Sequence, residues 1–231
     1  MGGRGGKQRI PRPAEHRPGG PAPWAALDPE QRRFTVDEVV DRLRALPAPL
    51  PSELAAPDQV EAAVLLPLVD LDGEAGLVLT KRPETMPSHR GEIAFPGGKR
   101  EPWDLDLRAA ALREAEEEIA LAPGDVRIVA ELDTISTVAS SFSITPFVGV
   151  VRGEAQLRAH PLEVVAVLSA TFTDLLAPET FRSEEWRLWG EWRTMYFFDL
   201  PGETVWGATA RILGRLLEFL AAGRSLRGSG R

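Results

Sequence analysis

Seven residues, Arg113-Glu-Ala-Glu-Glu-Glu-Ile119, concentrate the chemistry of this 231-residue chain. On a helix turning about 100° per residue, Glu114, Glu117 and Glu118 fall on one stripe. Ala111, Leu112, Ala115 and Ile119 form the adjoining apolar side, and Glu116 points elsewhere. A solvated acidic face is the plain reading of such a run. Two costs set this one apart. Glu114 and Glu118 are like charges at i,i+4, which repel by a few tenths of a kcal/mol. The cluster also sits in the last turns, at the negative end of the helix dipole, where each anion costs about 0.3–1 kcal/mol. A bound divalent cation reverses both signs. All-oxygen donors suit a hard cation, Mg²⁺ or Mn²⁺. There is no cysteine, and the three histidines are His16, His89 and His160. Disulfides, thiolate metal sites and a cysteine nucleophile are thereby excluded, and histidine-rich metal sites nearly so.

Upstream, Phe95-Pro96-Gly97-Gly98-Lys99-Arg100 reads as the end of a strand and a glycine loop leading toward that helix. Two glycines permit close backbone approach, and Lys99 and Arg100 supply cations for an anionic ligand. A strand, a Gly-Gly loop and an acidic helix together point to a phosphate ester bridged by a divalent cation.

The remaining elements must position these groups. Phe34–Leu46 has helical apolar spacing with Thr35 as a cap. Glu61–Val69 and Gly76–Thr80 predict a hairpin about Asp70-Leu-Asp-Gly73. His89–Phe95 is a loop entering a short strand, and Asp106–Leu121 is the acidic helix, closed by Pro123-Gly124. Val126–Thr137 and Ile144–Val151 read as strands; Val164–Leu168 is a further candidate, followed by Phe172–Leu176. Arg187–Phe198 reads as edge strands of a hairpin, and its tryptophans could serve a dimer surface or the core. Thr204–Ala222 is an amphipathic helix. Strands predominate and few are joined by helices. The expected class is therefore α/β (α+β), a mixed β-sheet sandwiched between α-helices.

Formal net charge is −7. Residues 1–33 are expected to be a disordered, basic Gly/Pro-rich tail. Within it Arg4, Lys7, Arg9, Arg12 and Arg17 face Glu15 alone up to residue 23. That local +4 against the whole chain's −7 leaves −11 on the rest. Residues 34–222 form the expected domain, and residues 223–231 a flexible end. An acidic body argues against nucleic-acid or membrane partners. With no cysteine, no secretory h-region and no membrane-length apolar run, a cytoplasmic setting is expected.

Gly98-x5-Asp104-x8-Arg113-Glu114-Ala115-x-Glu117-Glu118 closely resembles the Nudix box, the loop–helix signature of hydrolases that cleave nucleoside diphosphates linked to another group. Asp104 in place of Glu, one extra residue, and Ala120 in place of Gly resemble the coenzyme A pyrophosphatase branch. That branch has an upstream motif to which Leu79-Thr80-Lys81-Arg82, Gly91 and Phe95-Pro96-Gly97-Gly98 are similar, with Pro83 and Pro87 as departures. Ser143-Ile-Thr-Pro-Phe-Val-Gly149 and Val205-Trp206-Gly207-Ala208-Thr209-Ala210 extend the likeness, which runs from Val60 to Leu217.

The resemblance implies a Nudix fold and hydrolysis of coenzyme A or an acyl-CoA to 3′,5′-ADP and 4′-phosphopantetheine with Mg²⁺ or Mn²⁺. It implies Glu114, Glu117 and Glu118 as metal ligands, with the backbone carbonyl of Gly98 as a further donor. Arg113 would pair with a helix carboxylate, and Asp104 would be mainly structural. Glu163 is the candidate for a further glutamate, as metal ligand or base, with Glu184 and Glu185 as rivals. Arg82, Arg90, Lys99 and Arg100 are candidates for phosphate contacts, with Gly97 and Gly98 shaping the loop. His89 reads as a loop residue, and Trp189 and Trp192 as strand packing. ADP-ribose, NADH or another nucleotide is the alternative substrate, and a non-catalytic nucleotide-binding module is the alternative role. The expected partner is a small nucleotide, and a homodimer is possible.

Overall fold

The structure is a computed structural model that describes residues 4–52, 56, 58–85, 89–137, 141–153 and 155–225. The strand β1 spans His16–Pro18 and helix α1 Val36–Leu43. Next come the strands β2 (Val60–Leu71), β3 (Glu74–Lys81), β4 (Ile93–Ala94) and β5 (Gly97–Lys99), followed by helix α2 (Leu107–Ile119). The strands β6 (Val126–Glu131), β7 (Ile135–Thr137), β8 (Phe142–Val151) and β9 (Ala166–Thr171) precede a single turn, α3 (Phe172–Leu175). The chain closes with β10 (Phe181–Leu188), β11 (Glu191–Leu200), β12 (Glu203–Val205) and helix α4 (Gly207–Ser225).

An eight-stranded sheet has the central order β4-β3-β2-β8-β6, with β5 on β2, β7 on β8 and β9 on β3. It is mixed: β2 runs parallel to β8, with Leu65 beside Phe147, while β3 is antiparallel to β2. A four-stranded sheet has the order β1-β10-β11-β12.

Strand alternation divides the core. Ala63, Leu65, Val78 and Phe147 pack with Ala110, Ala111, Ala115 and Ile119 of α2. Their neighbours Leu66, Leu77, Leu79 and Val148 pack with Val39, Val40 and Leu43 of α1 and Ile212, Leu213, Leu216 and Leu217 of α4. Both faces of β2 and β3 are covered, which is why these strands read as continuous apolar runs. Thr35 caps α1 as expected, with Glu38 N–H donating to its Oγ1 at 3.2 Å and its own N–H donating to Glu38 Oε2 at 3.0 Å.

The structure differs from the sequence expectation in several places; among them, the expected strand Val126–Thr137 is split into β6 and β7. The segment expected to be disordered is ordered from Arg4 onward. Trp24 is buried against Phe181, with ring centroids 5.0 Å apart, and β1 pairs with β10. Its charged residues find partners on the second sheet: Arg12 Nε donates to Glu184 Oε2 at 2.8 Å, and Glu15 accepts from Arg187 at 2.9 Å. One aromatic anchor and a set of ion pairs supply what composition appeared to lack.

The Trp-rich hairpin begins earlier, at Phe181, and turns at Trp189-Gly190. Its second strand is interior to the four-stranded sheet, with Phe197 and Phe198 fully buried. Residues 97–99 are a strand rather than a loop. Phe172–Leu175 is one helical turn, because the Thr171 hydroxyl accepts from Asp174 N–H and starts it. The last helix starts at Gly207, after Thr204 joins β12, and continues through the expected tail boundary to Ser225. Arg224 fixes that end, donating to Arg33 O at 2.7 Å and lying over the Phe34 ring at 4.3 Å. The expected tail beyond Ser225 and Pro87 both lie outside the described residues.

Glu184 is the electrostatic centre of the N-terminal attachment. Burial alone would raise its pKa. Hydrogen bonds from Arg12 and Trp186, with the charges of Arg12 and Arg182, instead bring it down to about 2. A depressed carboxylate stabilises the fold above its unfolded pKa, and that contribution is lost as pH falls toward about 2. Glu184→Gln is expected to cost about 2 kcal/mol at pH 7. Urea unfolding at pH 7 and pH 3 should show that cost shrinking at the lower pH.

Candidate active site

The helix α2 sets the site. Asp106 caps it, accepting from Ala109 N–H at 2.8 Å. Ala110, Ala111 and Ala115 are fully buried, and their small side chains bring the helix close to β2 and β5. At the far end Ala120 adopts the left-handed conformation, φ 56°, where the Nudix box has glycine.

The three stripe carboxylates are graded in exposure. The side chain of Glu118 is 4 % exposed, that of Glu114 15 %, and that of Glu117 54 %. Oε2 of Glu118 is buried without a hydrogen-bond partner. Burial pushes the Glu118 carboxyl up to about 8, with the charges of Glu114 and Glu163 adding and Arg82 and the Gly97 backbone opposing. Burial also raises Glu114, against a hydrogen bond from Arg113.

Arg113 ties the stripe to the chain before it. Its Nε and Nη2 donate to Asp104 Oδ1 and Oδ2 at 3.0 and 3.1 Å, a bidentate pair. Nη1 donates to Glu114 Oε1 at 2.9 Å and to Glu117 Oε2 at 2.8 Å, and Nη2 reaches Lys99 O at 3.2 Å. The Arg113 hydrogen bond holds the Asp104 carboxyl below its ordinary range.

The glycine pair acts through space rather than turn geometry. A Cβ on Gly97 would lie 2.3 Å from Ala63 O of β2. A Cβ on Gly98 would lie 2.5 Å from Glu114 Oε1. Gly98→Ala is therefore expected to displace the Glu114 carboxylate and lower kcat about tenfold or more, with the thermal midpoint nearly retained. Steady-state kinetics beside a thermal melt checks this.

Glu163 arrives from a loop docked on the end of α2. His160 N–H donates to Glu118 O at 2.9 Å and Arg158 N–H to Ile119 O at 3.0 Å. The loop thereby satisfies free helix carbonyls and sets Glu163 where its charge bears on both Glu114 and Glu118. The rivals lie elsewhere: Glu184 and Glu185 are on β10, bound to Arg12 and to Thr194.

Among the basic candidates, Arg82 faces the site, with Nη1 3.8 Å from Glu118 Oε1 and a buried Nε without a partner. Arg90 is exposed on the same loop as His89, which pairs with Glu92 at 2.9 Å. Lys99 and Arg100 are exposed and paired with Glu101 at 2.9 Å and Glu61 at 3.1 Å, so the structure does not bring their charges to the carboxylates. Trp189 and Trp192 are exposed at the hairpin, with Arg17 over the Trp192 ring at 4.2 Å.

Among the described residues no three acidic or histidine side chains converge into a ready ion cage. Arg113 draws Glu114 and Glu117 to itself, so the expected three-carboxylate cage is not preformed. The donor chemistry nonetheless fits a hard cation: Glu118 has an orphaned buried oxygen, and Glu114 and Glu163 press on it with like charge.

Comparison with known proteins identifies the class. Residues 59–190 match the family model described as the NUDIX domain. The chain belongs to the Nudix family and is a Nudix hydrolase, an enzyme of the pyrophosphohydrolase class. Its relatives include the uncharacterized Nudix hydrolase NudL of Enterobacter sp., 34% identical over 194 residues, covering 81% of this chain and 95% of that protein. NudL of Cronobacter sakazakii is 36% identical over 195 residues, with the same coverage of 81% and 95%. A MutT/nudix family protein from Enterococcus faecalis aligns at a TM-score of 0.47 and 14% identity over 84% of this chain and 70% of that one.

Proposed function

We propose that this enzyme hydrolyses the diphosphate of coenzyme A or an acyl-CoA, releasing 3′,5′-ADP and 4′-phosphopantetheine, with Mg²⁺ or Mn²⁺. The observation that carries the reading is the buried, unpartnered Glu118 oxygen beside Glu114, Glu163 and Arg82. The upstream motif supports the substrate, because Leu79–Lys81 ends β3 and the Arg82 that follows brings Nη1 to 3.8 Å from that carboxylate.

Glu114, Glu117 and Glu118 would hold the cation, with the backbone carbonyl of Gly98 as a further donor. When bound, the cation supplies the charge that clamps phosphoryl oxygens and lowers the pKa of the attacking water. Glu163 accepts that water's proton at its carboxylate. The water oxygen bonds to one phosphorus, the bridging P–O bond breaks, and the second phosphate leaves with the bond pair. Arg82 offsets charge on the phosphates through its guanidinium. Arg113 reacts with nothing; it holds the stripe and Asp104 in place.

A panel of coenzyme A, acetyl-CoA, ADP-ribose and NADH in Mn²⁺, with products identified by chromatography, tests the proposal. ADP-ribose and NADH belong in it because Pro83 stands where the coenzyme A motif expects a small residue. Preferential formation of 3′,5′-ADP supports the reading; faster AMP release from ADP-ribose or NADH overturns it. No turnover of any substrate would favour the non-catalytic module.

A further inference from the structure

Lys81 is a junction. Its backbone C=O accepts from Val165 N–H at 2.9 Å, two residues beyond Glu163. The next residue, Arg82, donates its N–H to Glu92 O at 3.0 Å and points its guanidinium at Glu118. The ammonium of Lys81 meets Glu203 Oε1 of β12 at 2.6 Å, with both side chains mostly buried. The other oxygen of Glu203 accepts from Gln8 Nε2 at 2.6 Å. Gln8 also accepts from Thr204 N–H at 3.2 Å, and Gly6 N–H donates to Thr204 Oγ1 at 2.9 Å. Gly5 N–H donates to Leu200 O at 2.9 Å. Four hydrogen bonds thus join Gly5, Gly6 and Gln8 of the N-terminal arm to Leu200 at the end of β11 and to Glu203 and Thr204 of β12, and among the described residues of the arm it is Gln8 that reaches the Lys81 pair.

We propose that Gln8, Glu203 and Lys81 form a positioning relay through which the N-terminal arm fixes the end of β3, and with it Arg82 and the loop bearing Glu163. The three residues touch no substrate. The relay acts by holding two site groups in register, since about 1 Å of misplacement at a reacting centre costs far more rate than binding. Lys81 and Glu203 satisfy each other in a low-exposure setting, and Gln8 orients the carboxylate by taking its second oxygen. The proposal rests on the site reading given above.

The test uses the full chain, with coenzyme A and Mn²⁺ as the probe. Gln8→Ala and Lys81→Met are each expected to lower kcat about tenfold while KM changes less than about twofold. The charge-swapped double variant Lys81→Glu with Glu203→Lys should recover most of kcat, because the Gln8 amide can donate or accept. Hydrogen exchange at the Arg82 and Val165 amides should quicken about tenfold in the single variants. Unchanged kcat with only a lowered thermal midpoint would reduce the arm to a stabiliser and overturn the relay, as would unchanged exchange at both amides. If the wild-type chain turns over no diphosphate, the proposed function falls, while the exchange measurement still decides the relay.

Discussion

Glu118→Gln is expected to lower kcat by about 10³-fold while making the metal-free protein more stable at alkaline pH. The two effects share one cause. The carboxyl is buried with Oε2 unpartnered, and its pKa is pushed up to about 8. A carboxyl whose folded pKa is raised contributes most stability below its unfolded value. That contribution is lost as pH rises from about 4.5 toward 8. The amide removes that penalty and at the same time removes an anionic donor. Thermal melts in chelator at pH 5 and pH 8.5 should show the variant equal to the wild type at the lower pH and about 5 °C higher at the upper one. Added Mn²⁺ should raise the wild-type midpoint and leave the variant nearly unmoved. A variant that kept its activity, or that gained no stability at pH 8.5, would refute a role for Glu118 as a cation donor held under strain.

Arg113→Met is expected to cost about 3 kcal/mol of stability, a fall of about 10 °C, and most of the activity. The loss comes from what is left behind. Asp104 is buried and loses its bidentate partner, and Glu114 loses the Arg113 hydrogen bond that opposes its burial. Arg113→Lys should recover little, because a point charge cannot make the paired Nε and Nη2 contacts. Replacing both partners, Arg113→Met with Asp104→Leu, should recover most of the stability and none of the activity. Differential scanning calorimetry beside kinetics distinguishes the two contributions. If the double variant were active, Arg113 would be a fold residue without a part in holding the stripe.

Arg113 illustrates how far a sequence reading reaches. Its spacing to Glu117 and the glycine, acid and arginine order of the box are local, so the helix and the carboxylate stripe were legible. The hairpin β2–β3 and the Thr35 cap of α1 were legible for the same reason: their partners lie within a few residues. The N-terminal segment was not, because Trp24 and Arg12 gain their partners, Phe181 and Glu184, only after more than 150 residues of chain have folded. Lys99 and Arg100, whose charges looked available beside the glycine pair, are exposed and pair with Glu101 two residues on and with Glu61 in β2.

By itself the sequence determined which residues can act: one helix rich in oxygen donors, a glycine pair, and no cysteine thiolate to compete with them. Periodicity and residue type suffice for that, since both are local. Tertiary structure alone decided how unequal the three carboxylates are. Burial, like charge from Glu163 and the reach of Arg82 depend on strands and loops distant in the chain, and these set Glu118 apart from Glu117. Electrostatic energy depends on distance and on exclusion of water, and neither exists until the sheet closes over the helix.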